Sequence, residues 1–188
     1  VLPVLDDAFA KSYGADSLEV LRTGVRTDLE NELKGKQDRD LRNQVVDALL
    51  HRVAFELPES VVLEETRSVV YNIVSENQRR GIKKELIDQQ KEQIYASASH
   101  TAKGRVKASF LFNKIAEKEG VTVEQSDVIE RVQALAANYQ MPLDKFVKEL
   151  QKRDGFGEIH EQIVADKIIR LLISNAKIEE VAPAAPPA

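Results

Sequence analysis

The side chains that could do chemistry are few and scattered. His51, His100 and His160 stand far apart in the chain, and none has a second histidine four residues away. That is the helical spacing that brings two imidazoles onto one metal. Glu158 with His160 is too sparse a set for a metal site. There is no cysteine, which removes thiolate nucleophiles, disulfides and Cys-ligated zinc together. The eight glycines are dispersed and form no phosphate-cradling loop, and no nucleophile elbow occurs. Adjacent carboxylates such as Glu64-Glu65 read as a solvated helix face rather than an acid/base pair. No enzymatic chemistry, metal or cofactor is therefore expected of these residues.

Apolar side chains carry more information. Phe110, Leu111 and Phe112 are consecutive, so one helix face cannot bury all three. Tyr139 and Met141 flank a chain break, with Phe146 close behind. Core packing is the plain interpretation. The alternative is a groove left open for apolar segments of a partner, because methionine and aromatics suit adaptable contacts. Arg79-Arg80 and Lys83-Lys84 form one basic cluster, read as a solvated turn in preference to an anion contact.

With 188 residues, 43% apolar content and only 5% aromatics, the chain can bury a core made mainly of Leu, Ile, Val and Ala. Its 31 acidic and 27 basic side chains give a net charge of −4, the wrong sign for a dedicated nucleic-acid binder. No apolar run approaches the roughly 20 residues that span a bilayer. The first residue is Val1, from which an excised part of a longer protein is expected.

These side chains must be positioned by helices. After an extended opening, Asp6–Tyr13 forms a short helical turn stopped by Gly14. Asp16-Ser17-Leu18-Glu19 reads as a capping box with Asp16 as the cap. Leu18, Leu21, Val25, Leu29, Leu33, Leu41, Val45, Ala48 and Leu49 then recur in helical steps. One continuous or gently bent helix to about Ala54 is expected, in spite of Gly24 and Gly35. Pro58, without an N–H, starts the next helix, which ends between Asn77 and Gly81. A long helix from Lys84 to Glu119 has a small-sided middle, Ala96 to Ala102, that favours close antiparallel packing on its predecessor. Thr122-Val123-Glu124-Gln125 reads as a second capping box, for a helix to Tyr139, and Pro142 opens a short helix. The most apolar helix, Glu158–Asn175, is the expected core partner of the first long helix. No convincing strand occurs. The fold class is all-α, with residues 182–188 a disordered Ala/Pro tail.

In this order of elements the sequence resembles the C-terminal domain of trigger factor, the bacterial ribosome-associated chaperone family. Three stretches carry the likeness: Leu2 to Lys11, Asp28-Leu29-Glu30-Asn31-Glu32-Leu33-Lys34, and the join of Asp47-Ala48-Leu49-Leu50 to Leu57-Pro58-Glu59. The resemblance covers residues 1–181. It implies an elongated multihelical body (1–57 and 153–181) with two projecting arms, about 58–119 and 121–152. It also implies ATP-independent holding of unfolded or nascent polypeptides in the cytoplasm. On this likeness the client-contacting residues are Val62, Val69, Ile73, Ile94, Phe110, Phe112, Tyr139, Met141 and Phe146. Ribosome docking and prolyl isomerisation would belong to domains outside these residues. Partners would include neither nucleic acid nor membrane. A periplasmic chaperone of the SurA type, or a helical scaffold for one folded partner, are the alternatives.

Overall fold

A computed structural model describes residues 4–179 and 181. Both the expected tail and the first three residues lie outside them. Among the described residues all regular structure is helical. The helices are α1 (Asp7–Ser12), α2 (Leu18–Arg52), α3 (Glu59–Arg79), α4 (Lys84–Gln89), α5 (Lys91–Glu119), α6 (Gln125–Asn138), α7 (Leu143–Lys152) and α8 (Phe156–Asn175). They fall into two units, residues 1–44 and 45–188, with α2 running from the first into the second.

In the first unit the Asp6 carboxylate accepts the Phe9 N–H at 2.8 Å and caps α1. Asp7 then accepts the Leu18 N–H at 2.8 Å, tying α1 to the start of α2. Ser17, not Asp16, faces the new helix, with its Oγ accepting the Val20 N–H at 3.3 Å. The capping box expected one residue earlier is thus corrected. α2 continues unbroken through Gly24 and Gly35, as the periodicity predicts. The expected burial of its apolar seam is not found. α2 has no buried residue, and Leu29 and Leu33 are 60% and 55% exposed.

In the second unit α3 and α5 pack side by side, with α4 as the turn between them. Small residues make this close approach possible. Thr66 and Val69 on α3 and Ala98, Ala102 and Val106 on α5 are all buried. The Thr66 hydroxyl stays satisfied by donating to the Val62 carbonyl at 2.7 Å. Pro58 serves as the N-cap of α3 in extended backbone. The single helix expected over Lys84–Glu119 is instead interrupted at Gln90. There the N–H bonds back only three residues, to Ile87, and tightens the chain out of the α-helical path. Gly120, at φ 66°, ends α5 and lets the Val121 N–H close on the Ala116 carbonyl at 2.9 Å.

α6 begins two residues later than the expected box. Thr122 donates its hydroxyl to the Glu124 carboxylate at 2.9 Å, and Glu124 and Asp127 form the capping box. Two apolar clusters follow. Val132 and Ala136 of α6, Phe146 and Leu150 of α7, and Ile159 and Ile163 of α8 make the first. Phe112 and Ala116 of α5 with Val164, Ile168 and Ile169 of α8 make the second, and Val46 and Leu49 at the end of α2 pack on it. The expected pairing of α8 with the first long helix therefore holds only at that end. α8 serves both clusters, each Leu- or Ile-sized side chain contributing about 1.5–3 kcal/mol on burial.

Polar ties secure these packings. Arg131 of α6 pairs with Asp166 of α8, and Lys167 pairs with Asp127. Lys167 also donates to the Thr122 carbonyl at 2.9 Å. Lys107 of α5 donates to the Leu50 carbonyl at 2.6 Å, satisfying a last-turn acceptor of α2.

Candidate functional site

The helical period sets the site. Val61, Glu64, Glu65, Ser68 and Asn72 recur at steps of one, three or four on α3 and share one face. Arg105, Ser109, Phe112 and Asn113 do the same on α5, and Glu158, Glu161, Gln162 and Ala165 on α8. Where the three faces meet they line an open groove of about 1090 Å³. Its apolar wall includes Val106, Phe112 and Val164, all buried and therefore fixed by core packing. Phe110 also lines it and is 44% exposed. Phe110 meets Phe55 edge-on, with ring centroids 6.4 Å apart and planes at 76°. Phe55 belongs to the segment joining α2 to α3 and is itself 40% exposed.

The charge on the groove is one-sided. Glu64, Glu65, Glu158 and Glu161 stand against a single cation, Arg105. Arg105 Nη1 lies 3.0 Å from Glu65 Oε1, an ion pair that joins α5 to α3 beside the groove. Away from the groove, the Asp127 carboxyl is held below the usual aspartate range, first by the hydrogen bond from Lys167 and then by that from the Glu124 N–H. Asp127 belongs to the α6–α8 tie and not to the groove. Among the described residues no group of three or more His, Asp or Glu could hold a metal ion. No described helix is long and apolar enough to cross a membrane.

The nine residues singled out from sequence fall in three places. Phe110 and Phe112 share the groove, Phe112 in its buried wall. Tyr139, Met141 and Phe146 gather at the α6–α7 turn. There Tyr139 is 69% exposed and stacks at 5.9 Å on the buried Phe146, and Met141 packs on the first cluster. Val62, Val69, Ile73 and Ile94 belong to the α3–α5 hairpin, Val69 buried and the others half-buried. Sequence reasoning missed Phe55, Val61, Arg105 and the α8 carboxylates. The step of three between Glu158 and Glu161 was a visible signal for a polar face on an otherwise apolar helix.

With this geometry established, comparison with known proteins places the chain. Residues 17–174 match the family described as bacterial trigger factor protein C-terminus. A trigger factor of Opitutus terrae is 34% identical over 184 residues, covering 97% of this chain and 42% of that protein. One from Alkaliphilus metalliredigens is 29% identical, covering 94% of this chain and 42% of that protein. The chain thus spans less than half the length of the curated relatives it matches. Two solved structures share the fold. A structure of trigger factor domains from Thermotoga maritima has a TM-score of 0.55 at 15% identity, covering 74% of this chain and 83% of that one. A trigger factor chaperone described by its promiscuous substrate recognition has a TM-score of 0.54 at 17% identity, covering 93% of this chain and 43% of that one. An all-α chain whose residues 17–174 match the family belongs to the bacterial trigger factor family, in its C-terminal part.

Proposed function

We propose that this chain holds unfolded or nascent polypeptide segments without nucleotide. The observation that carries the proposal is the open groove, where exposed Phe110 stands beside a wall fixed by the core. A client side chain of Leu or Phe size gains about 1.5–3 kcal/mol on leaving water. Ordering a mobile segment offsets much of that. A few such contacts leave an affinity on the order of micromolar, about −8 kcal/mol, weak enough for release without an energy source. The excess of carboxylates over cations favours apolar segments flanked by Lys or Arg.

Residues 58–119 and 121–152 serve as the two arms around the client, with Tyr139 and Met141 as a second contact beside Phe110. The chain acts in the cytoplasm. It carries no prolyl isomerase activity and needs no cofactor, and it addresses neither nucleic acid nor membrane. Any ribosome contact belongs to parts of the parent outside these residues. Dilution of a chemically unfolded client into buffer, followed by light scattering, tests the proposal. Near-stoichiometric suppression without nucleotide is the expected result. Undiminished scattering in the presence of the folded, helical chain would overturn it.

A further inference from the structure

We infer that Arg105 is a built-in competitor that sets how long a cationic client stays in the groove; the inference rests on the holding function proposed above. Among the described residues Arg105 is the one cation lining the groove, and its guanidinium occupies Glu65, one of the four carboxylates there. A Lys or Arg of a bound segment would seek the same oxygen. The pair is built for exchange. The Arg105 side chain is 56% exposed and that of Glu65 30%, so neither partner is locked by packing and both are screened by water. The pairing joins residues forty apart on two helices, so it is a feature of the folded groove and not of one helix surface.

Two consequences follow from charge alone. With Arg105 in place, a client cation must displace a guanidinium from Glu65, and Arg105 recaptures that carboxylate when the client leaves. Without it, the groove presents four carboxylates with no internal counter-charge. Affinity for cationic segments then rises and their release slows. Neutral apolar segments, which use the apolar contacts and no carboxylate, are unaffected. Arg105 is in this sense a positioning and selectivity residue, and its effect is confined to charged clients.

The test uses two short fluorescein-labelled peptides of mixed Leu, Phe and Ser, one with two added Lys and one with Ser in their place. Their binding to the intact chain and to Arg105→Gln is followed by anisotropy at low and moderate salt. Arg105→Gln is expected to bind the Lys peptide about two- to fivefold more tightly, the range of an exposed ion pair. The gain should appear in the dissociation rate, with a steeper salt dependence and an unchanged Ser peptide. Arg105→Lys, which keeps the charge, should restore wild-type behaviour. Circular dichroism should match across all three proteins. Equal tightening of both peptides would overturn the inference, because Arg105 would then only fill space. Unchanged binding of both would overturn it as well. If wild type binds neither peptide, the holding function itself fails, a result distinct from both.

Discussion

Phe110 and Phe112 are two positions apart and face opposite fates. Phe112 is 7% exposed in the second cluster, whereas Phe110 is 44% exposed on the groove. Phe112→Ala should destabilise the chain by about 3–5 kcal/mol, as deletion of a packed aromatic does. Phe110→Asp should leave the melting temperature close to wild type and abolish most suppression of client scattering. Thermal unfolding by circular dichroism alongside the scattering assay separates the two effects, and unfolding by Phe110→Asp would make Phe110 a core residue. Asp127 gives a pH-dependent counterpart. Its folded-state pKa is depressed by Lys167, so its contribution is fully present above the ordinary aspartate value and is lost as pH falls through the lower, folded value. Asp127→Asn should therefore be less stable than wild type near neutrality. The two should converge in denaturation experiments as the pH falls through that folded value.

At the scale of elements, the ends set by one residue's backbone were legible. Gly14, Gly120 and Pro58 each mark an end because of what their own atoms allow. Ends decided by competition were not. Asp16 and Ser17 are both good caps, and Asp7, eleven residues before Leu18, settles the matter by taking the Leu18 N–H. Thr122 lost the cap to Glu124, whose backbone N–H donates to the Asp127 carboxylate at 2.8 Å while its own carboxylate accepts the Asp127 N–H. Glu64-Glu65 looked solvated because the partner of Glu65, Arg105, is forty residues away. The face containing Phe110 was visible in sequence as an apolar excess, but the α8 carboxylates opposite it required the tertiary fold. The turn between α7 and α8 offers a direct test of packing at this scale. A Cβ on Gly155 would come within 2.9 Å of Leu150 Cδ2, and Leu150 is 1% exposed, with little room to move. Gly155→Ala should lower stability by about 1–3 kcal/mol in urea unfolding, the range for overpacking.

For the whole molecule, the two units differ in what holds them. Residues 1–44 bury Ala10 alone among the described residues, whereas both apolar clusters lie within residues 45–188. A helix without a buried face depends on propensity and opens readily. Hydrogen exchange should therefore be fast along residues 18–44 and slow in α5 and α8. A chain of residues 45–188, which keeps Val46, Leu49 and the Leu50 carbonyl, should retain a cooperative melt close to that of the intact protein. Loss of cooperativity would mean that the first unit supports the second.

α8 supplies one side of the groove and is the last of the described helices. During synthesis, the α3–α5 hairpin can form from near neighbours as soon as Glu119 has emerged, but the groove cannot exist until Ala165 has been added. A copy that stops short of Ala165 therefore lacks the groove that we propose receives a client, and retains only the second contact at Tyr139 and Met141. A copy ending at Lys152 should suppress client scattering less than the intact chain does. Under the proposed function, the main contact for a client is thus among the later parts of this sequence to form.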